Sequence, residues 1–288
     1  MWLRAIARQV CGLVLTVVLG GLAAATLVRL APGFDVDERE LDPRLSEASL
    51  QSIRIERVQE RNLAWFYWNY LRRLTHGDLG VSHSLRRPVA ELLLERGPVT
   101  LRLAGWGLLG GWVLALSLAM ATTAWKQGAL DFLSVSFASM FLCLPAAVIG
   151  LLVLFSGVAP AWAIALIVFP KIFGYARTLL GKAYHAPHVL QARAKGVRGV
   201  SILMRHVLPG TVPELLALAG VSVTMAFSAA IPIEAVGDVP GIGQLAWQAA
   251  LGRDLPVLVS LTLLLMLLTR SANAAADVAI SAVQAGQL

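Results

Sequence analysis

The sequence predicts an all-α, polytopic membrane protein with six transmembrane helices and an extracytoplasmic helical insertion after the first of them. Three observations carry this. Of 288 residues, 57% are hydrophobic and 14% charged, against about 45–50% and about 25% in soluble domains. The excess is gathered in runs of about 20 residues, the length that crosses a hydrocarbon core. The cations, which give a formal charge of +7, lie mostly in loops and at the ends of those runs. That is the pattern of a membrane face rather than of a nucleic-acid surface.

The first run is Val10 to Leu30, stopped by Ala31-Pro32-Gly33. Residues 1–31 make the first transmembrane helix. Arg4 and Arg8 precede the run, but its apolar stretch is too long for a cleavable signal core. Residues 32–98 are rich in Arg, Asp and Glu and form an extracytoplasmic segment. Its aromatic cluster, Trp65, Phe66, Tyr67 and Trp68, either rests at the lipid interface or packs the segment's own core.

The second run is Val99 to Ala124. Gly107 and Gly111 are four apart on one helix face and suit close helix contact in lipid. An apolar block from Phe132 to Phe173 is about twice a bilayer core at about 1.5 Å per residue. Ser156 to Pro160 supplies the turn that divides it into the third and fourth spans. Pro170-Lys171 falls inside the fourth, where Lys171 either snorkels or marks the helix leaving the lipid. The fifth span is Val212 to Ile233. The sixth is Leu255 to Thr269, extending past Arg270 to Ile280, with 284–288 a short tail. Cys11 and Cys143 lie inside apolar runs and read as small hydrophobes.

Orientation follows from the short loops, because Lys and Arg accumulate on the cytoplasmic side. The loop from Lys182 to Thr211 is basic and lacks an acid in its cationic stretch, so it is cytoplasmic. Counting spans outward puts both termini and Lys126 inside. Residues 32–98 and the loop from Ala235 to Asp254 fall outside.

Within the basic loop, Gln191 to Gly210 carries Arg193, Lys195, Arg198, Arg205 and His206 and no acid. Ala192 and Ala194 exclude little space. Gly196 can take a positive φ at a helix C-cap, and Pro209 begins or kinks the helix into span five. The stretch is either a docking element for a soluble partner or a plain positive-inside loop. His185 and His188 flank Pro187, which disfavours a regular helix across the pair, and no third ligand is near, so no metal site is expected. Glu234 and Asp238 sit where span five meets the outside. They either contact a cationic solute group or a partner protein, or only cap a helix end. Asp254 is expected to cap span six, with Pro256 in its first turn. No phosphate-binding loop, Ser/His/Asp set or HExxH is present. The chain is therefore read as no enzyme and as needing no cofactor.

Ala192-Arg193-Ala194-Lys195-Gly196, followed after nine residues by His206-Val207-Leu208-Pro209, resembles the EAA signature of permease subunits in ABC importers. It is most similar to the dipeptide/oligopeptide/nickel family. Leu30–Gly33, Gly77–Ser82, Arg87–Leu101, Arg177 and Glu234–Leu258 look like that family's segments in the same order. Departures are Pro187-His188 in place of Asp-Tyr, Leu190-Gln191 in place of Glu-Ala, a short loop at 156–160, Gly237 and Val239 in place of aromatics, and no Asp-Pro-Arg near the C-terminus.

The resemblance implies a five-helix permease core over 99–283 with a cytoplasmic coupling loop over 183–209. It makes Ala192, Arg193, Ala194, Lys195, Gly196, Arg205, His206, Leu208 and Pro209 the ATPase-coupling residues. It makes Glu234, Pro240, Gly241, Gly243, Arg253 and Asp254 the outer gate or binding-protein contact. The implied partners are a homologous second permease, two ABC ATPase subunits, an extracytoplasmic substrate-binding protein and membrane lipid, with no nucleic acid. The implied place is the bacterial inner membrane, and the implied activity is ATP-driven alternating access for peptides or similar small solutes. Alternatives are a permease for another solute class such as nickel, and a degenerate or scaffold protein of the same fold. A membrane enzyme is disfavoured by the scarcity of polar groups at depth.

Overall fold

The computed structural model describes residues 63–74, 76–125, 128–197 and 200–285, together with Gly12, Leu15, 18–23 and Thr26. Most of the first apolar run, Arg4, Arg8, Cys11, Lys126 and Arg198 lie outside the described residues. The elements are α1 (Leu63–Leu74), α2 (Val89–Trp125), α3 (Gly128–Cys143), α4 (Ala146–Phe155), α5 (Ala161–Tyr184), α6 (Pro187–Ala194), α7 (Val200–Val236), α8 (Ile242–Leu251) and α9 (Leu255–Ala285). The described residues contain no strand, only an isolated bridge between Val81 and Pro88.

Helices α2, α5, α7 and α9 are each long and apolar enough to cross a membrane. The pair α3–α4 makes a fifth candidate, bent by 102°. The expected turn at Ser156–Pro160 is present, but the span before it also breaks at Leu144-Pro145. Pro145 has no N–H to continue the ladder and stands at the N-cap of α4. Composition alone gave no sign of this bend, because both arms are predominantly apolar. Helices α2, α7 and α9 also run beyond the apolar runs at their ends, the helical backbone continuing into their more polar flanks.

The chain divides into two compact units. One is Met1–Arg96 with Leu245–Leu267, the other Gly97–Gln244 with Leu268–Leu288. In the first, Tyr67 and Tyr70 of α1 are buried with Val259 and Leu263 of α9, and Val18 packs against them. The Tyr67 hydroxyl donates to the Val18 carbonyl at 2.8 Å, and the Tyr70 and Ser260 hydroxyls are 2.9 Å apart. Trp68 is 72% exposed. Helix α1 thus divides the aromatic cluster between the two readings: tyrosines pack inward and Trp68 faces out. The side chains of Trp65 and Phe66 lie outside the described residues.

In the second unit α5 is the centre. Ile164, Val168, Phe169, Ile172, Phe173 and Leu180 are fully or almost fully buried against α2, α3, α4 and α7. Gly107 and Gly111 let α2 come close: a Cβ at Gly107 would stand 2.6 Å from that of Ile164, and one at Gly111 3.2 Å from the Ala165 carbonyl. In lipid such packing, with a few interhelical hydrogen bonds, replaces the hydrophobic drive. Trp112 Nε1 donates to Ser222 Oγ at 2.9 Å and Thr224 Oγ1 to Thr269 Oγ1 at 3.2 Å. Lys171 is exposed although Pro170 beside it is buried, and α5 continues unbroken to Tyr184. Trp106 and Trp125 are both 64% exposed on α2. They are 19 residues apart (125 − 106), about 28 Å of helix, close to the about 30 Å of a hydrocarbon core.

Candidate functional site

The basic island folds as two helical pieces around a turn. Helix α6 starts with Pro187 at its first position and buries Val189 and Ala192, one turn apart, on a single face. Lys195 caps its C-terminus. Gly196 then adopts φ +88°, with its N–H on the Arg193 carbonyl at 2.9 Å and the Val197 N–H on the Ala192 carbonyl at 3.2 Å. These two bonds form a Schellman closure, and the left-handed residue in it is a glycine for the usual steric reason.

Beyond the turn, residues Leu203–Val207 wind as a π-turn that runs directly into Leu208-Pro209. Pro209 cannot donate to the carbonyl four residues back, and the wider winding takes up the mismatch. Leu203 and Val207 are buried, Arg205 and Pro209 are exposed, and Leu208 is half-buried against the core. His188 Nε2 donates to the His206 carbonyl at 3.2 Å, tying α6 to the π-turn. His206 Nδ1 has no hydrogen-bond partner among the described residues.

The island residues are not equally presented. Ala192 faces the chain's own core, so its small side chain serves packing within the chain. Ala194, Lys195 and Gly196 are exposed. Arg193 stacks its guanidinium 3.8 Å from the centre of the Tyr184 ring, a cation–π contact within the chain. Among the described cations of the island, Lys195 and Arg205 are exposed. His185 Nδ1 donates to the Gly181 carbonyl at 2.8 Å, the usual helix-end use of a histidine.

The second group lies at the far end of α7. The Glu234 side chain is completely buried. Its Oε2 accepts the Gly243 N–H at 2.6 Å, and Thr100 Oγ1 accepts the neighbouring Ile242 N–H at 2.7 Å. A Cβ at Gly241 would fall on the Glu234 carboxylate. One at Gly243 would lie 2.6 Å from the Ile231 Cα and 2.9 Å from Glu234 Oε2. The loop Pro240–Gly243 is therefore moulded round the Glu234 carboxylate. To the two readings, contact or helix-end group, the buried Glu234 carboxylate adds a third: in this conformation it is an internal anchor. Asp238 takes φ +50° just past the end of α7 and accepts a hydrogen bond from Gln244 Nε2.

Arg253 and Asp254 belong to the first unit. Arg253 has φ +51°, and the Asp254 N–H reaches the Ala249 carbonyl at 2.8 Å, so α8 ends in the same closure as α6. Asp254 is fully buried. It receives Ser82 Oγ at 2.6 Å, Ser84 N–H at 3.0 Å and Ser84 Oγ at 2.8 Å, while its other oxygen faces the Val257 N–H at 3.4 Å. Burial opposes its ionisation, but the hydrogen bonds from Ser82 and Ser84 outweigh burial and hold the carboxyl below its usual range. The expected cap on α9 is present, with Pro256 in its first turn. Binding to a partner through this carboxylate would require breaking that set.

Sequence reasoning did not find Asp131. Arg177 Nε and Nη2 donate to its two oxygens at 2.7 and 2.6 Å, a bidentate clamp between α3 and α5. The available signal was an acid in the first turn of span three and an arginine near the end of span four, both on the side of the basic loop.

Residues 107–285, well over half of the chain, match the model of the binding-protein-dependent transport system inner membrane component family. The chain belongs to that family. It is thus the permease component of a binding-protein-dependent ABC importer. Among similar proteins, the oligopeptide transport system permease protein OppB of Salmonella typhimurium is 26% identical over 83% of this chain and 84% of its own. The glutathione transport system permease protein GsiC of Escherichia coli is 23% identical over 98% and 97%. The permease also shares its fold with a chain of the MetNI methionine ABC transporter in an inward-facing conformation. That match has a TM-score of 0.60 and 20% identity over 67% of this chain and 96% of the other.

Proposed function

We propose that this permease moves peptides or similar small solutes across the inner membrane by alternating access, driven by ATP hydrolysis in separate subunits. The single observation that carries the coupling part is the exposed Schellman turn at Ala194-Lys195-Gly196, whose helix α6 is tied by His188 to the π-turn in the first part of α7. A push on a short, closed helical element reaches a long one through this contact. Lys195 and Arg205 provide attraction to carboxylates on an ATPase surface, while Gly196 leaves the turn low enough to enter a cleft. Ala192, Arg193, His206, Leu208 and Pro209 act in this reading by holding the element's shape from behind.

The complete unit has six spans, the first in residues 1–31, an extracytoplasmic segment over 32–98, and a core over 99–283 with both termini cytoplasmic. It works with a second homologous permease, two ABC ATPases and an extracytoplasmic binding protein. Glu234, Pro240, Gly241 and Gly243 set the form of an outer loop, and Arg253 and Asp254 that of another. The peptide class follows the relatives OppB and GsiC, whose own solutes are oligopeptides and glutathione. A nickel chelate or another small solute is the alternative cargo.

The test is the assembled transporter with wild type and Gly196→Asp. The expected result is ATPase stimulated by loaded binding protein in wild type, with loss of ATPase capture or of stimulation in the variant. Equal stimulation in both would remove the coupling role from this turn, and no stimulation in either would favour a degenerate or scaffold permease.

A further inference from the structure

A cavity of about 410 Å³ opens between the C-terminal ends of α2 and α5 and the first turn of α3. Its lining differs in kind from two other cavities of the same unit, whose walls hold no charged residue. Here Thr122, Thr123, Asp131, Arg177, Lys182 and His185 supply the wall. Asp131 and Arg177 neutralise each other in their clamp, which leaves Lys182 as a net positive charge beside the His185 ring. The threonine hydroxyls donate to carbonyls of their own helices, Thr122 and Thr123 to Ala119 and Thr178 to Gly174. The donors open to a ligand are then the Lys182 ammonium and the Arg177 Nη1 group, which the Asp131 clamp does not use. Gly128 opens α3 at the same cavity, so the positive end of a 16-residue helix adds to the field. Trp125, exposed at the end of α2 within a turn of Thr122, puts the cavity at the level of lipid headgroups.

We propose that this cavity binds the phosphate of an anionic phospholipid headgroup, with Lys182 as its principal contact and the Arg177–Asp131 clamp as its rigid wall. A phosphate is an acceptor-only anion and is matched by the two donors left open, the Lys182 ammonium and the Arg177 Nη1 group. The depth favours lipid as the source over free phosphate. The site depends on no assumption about the transported solute or about ATPase coupling.

The test uses the full chain purified in detergent, examined by native mass spectrometry with phosphatidylglycerol or phosphatidylcholine, and separately with inorganic phosphate. Wild type should retain phosphatidylglycerol over phosphatidylcholine. Lys182→Ala should lose about fivefold in retention, the effect of one basic residue on an anionic lipid. Lys182→Arg should keep it, and Lys171→Ala, an exposed lysine on the same helix outside the cavity, should not change it. Lys182-dependent retention of inorganic phosphate without lipid selectivity would keep the phosphate site and move its source to solution. Equal retention by wild type and Lys182→Ala, an equal loss in Lys171→Ala, or no retention of either ligand overturns the proposal.

Discussion

Two glycine-containing loops stand at opposite ends of the same stretch of chain, and they use glycine for opposite reasons. At Gly196 the backbone demands φ +88°, while nothing lies within 4 Å of where a Cβ would go. At Gly241 and Gly243 no positive φ is involved. The Glu234 carboxylate and the Ile231 backbone occupy the place of their side chains. The first loop is defined by conformation and leaves its surface open. The second is defined by volume and closes on a buried acid. An open turn suits contact with another protein, whereas a filled one suits holding a shape, and the sequence shows only a glycine in each.

The largest effect should come from Gly243→Ala. Its Cβ meets backbone, which cannot turn away, so a loss of about 3 kcal/mol or more in thermal stability of the purified protein is expected. A loss under about 1 kcal/mol would break the steric account. Gly241→Ala should cost about 2 kcal/mol, but its close atoms all belong to Glu234. Adding Glu234→Ala should therefore recover part of that loss, a coupling of about 1–2 kcal/mol in a double-mutant cycle, and should recover much less for Gly243→Ala. Strict additivity at 241 would show that the carboxylate is not the obstacle.

Asp254 extends the comparison to a carboxylate held by hydroxyls instead of by glycine backbone. Its folded value lies below its unfolded one, so its contribution is complete above the unfolded value near pH 4 and disappears as the pH falls through the folded value. Wild-type stability should fall on acidification below about pH 4. Asp254→Asn should cost about 2 kcal/mol at neutral pH and flatten that acid limb, as followed by unfolding across pH.

Gly196→Ala should cost about 1 kcal/mol, since only the left-handed backbone is penalised and no neighbour is touched. Arg253 is the converse: a side chain where the same closure places φ +51°. Arg253→Gly should change stability by no more than about 0.5 kcal/mol in the favourable direction, because relief of φ is offset by the freedom glycine gains when unfolded. A clear destabilisation would mean that the Arg253 side chain does more than occupy a cap.

Much of this was legible in the sequence. The apolar runs gave the helices of the core, because lipid admits little else. The positive φ of Gly196 and the cap at Asp254 were legible because a local motif fixes each. The inward face of Ala192 was not, since a two-residue burial pattern in an eight-residue helix is too short to read. Nor was the burial of Glu234, which depends on a loop returning from Gly241 and Gly243. An acid followed by a glycine-dense turn was the one available hint. The Asp131 clamp escaped for the same reason, its two halves being 46 residues apart.

The elbow at Leu144-Pro145 carries a consequence for how the chain is built. A ribosome delivers residues 128–155 before any of α5 or α7 exists. Yet α4 packs against those two helices, with Gly150 receiving the Ile233 side chain. Without those two helices the joint has fewer protein neighbours, and the unpaired backbone groups of a 102° bend are costly where lipid reaches them. Pro145 fixes where the chain breaks, and neighbours from later in the chain pack the arm beyond it. The order of synthesis therefore bears on the fold here: the second arm reaches its final packing only after residues up to Ile233 have been made.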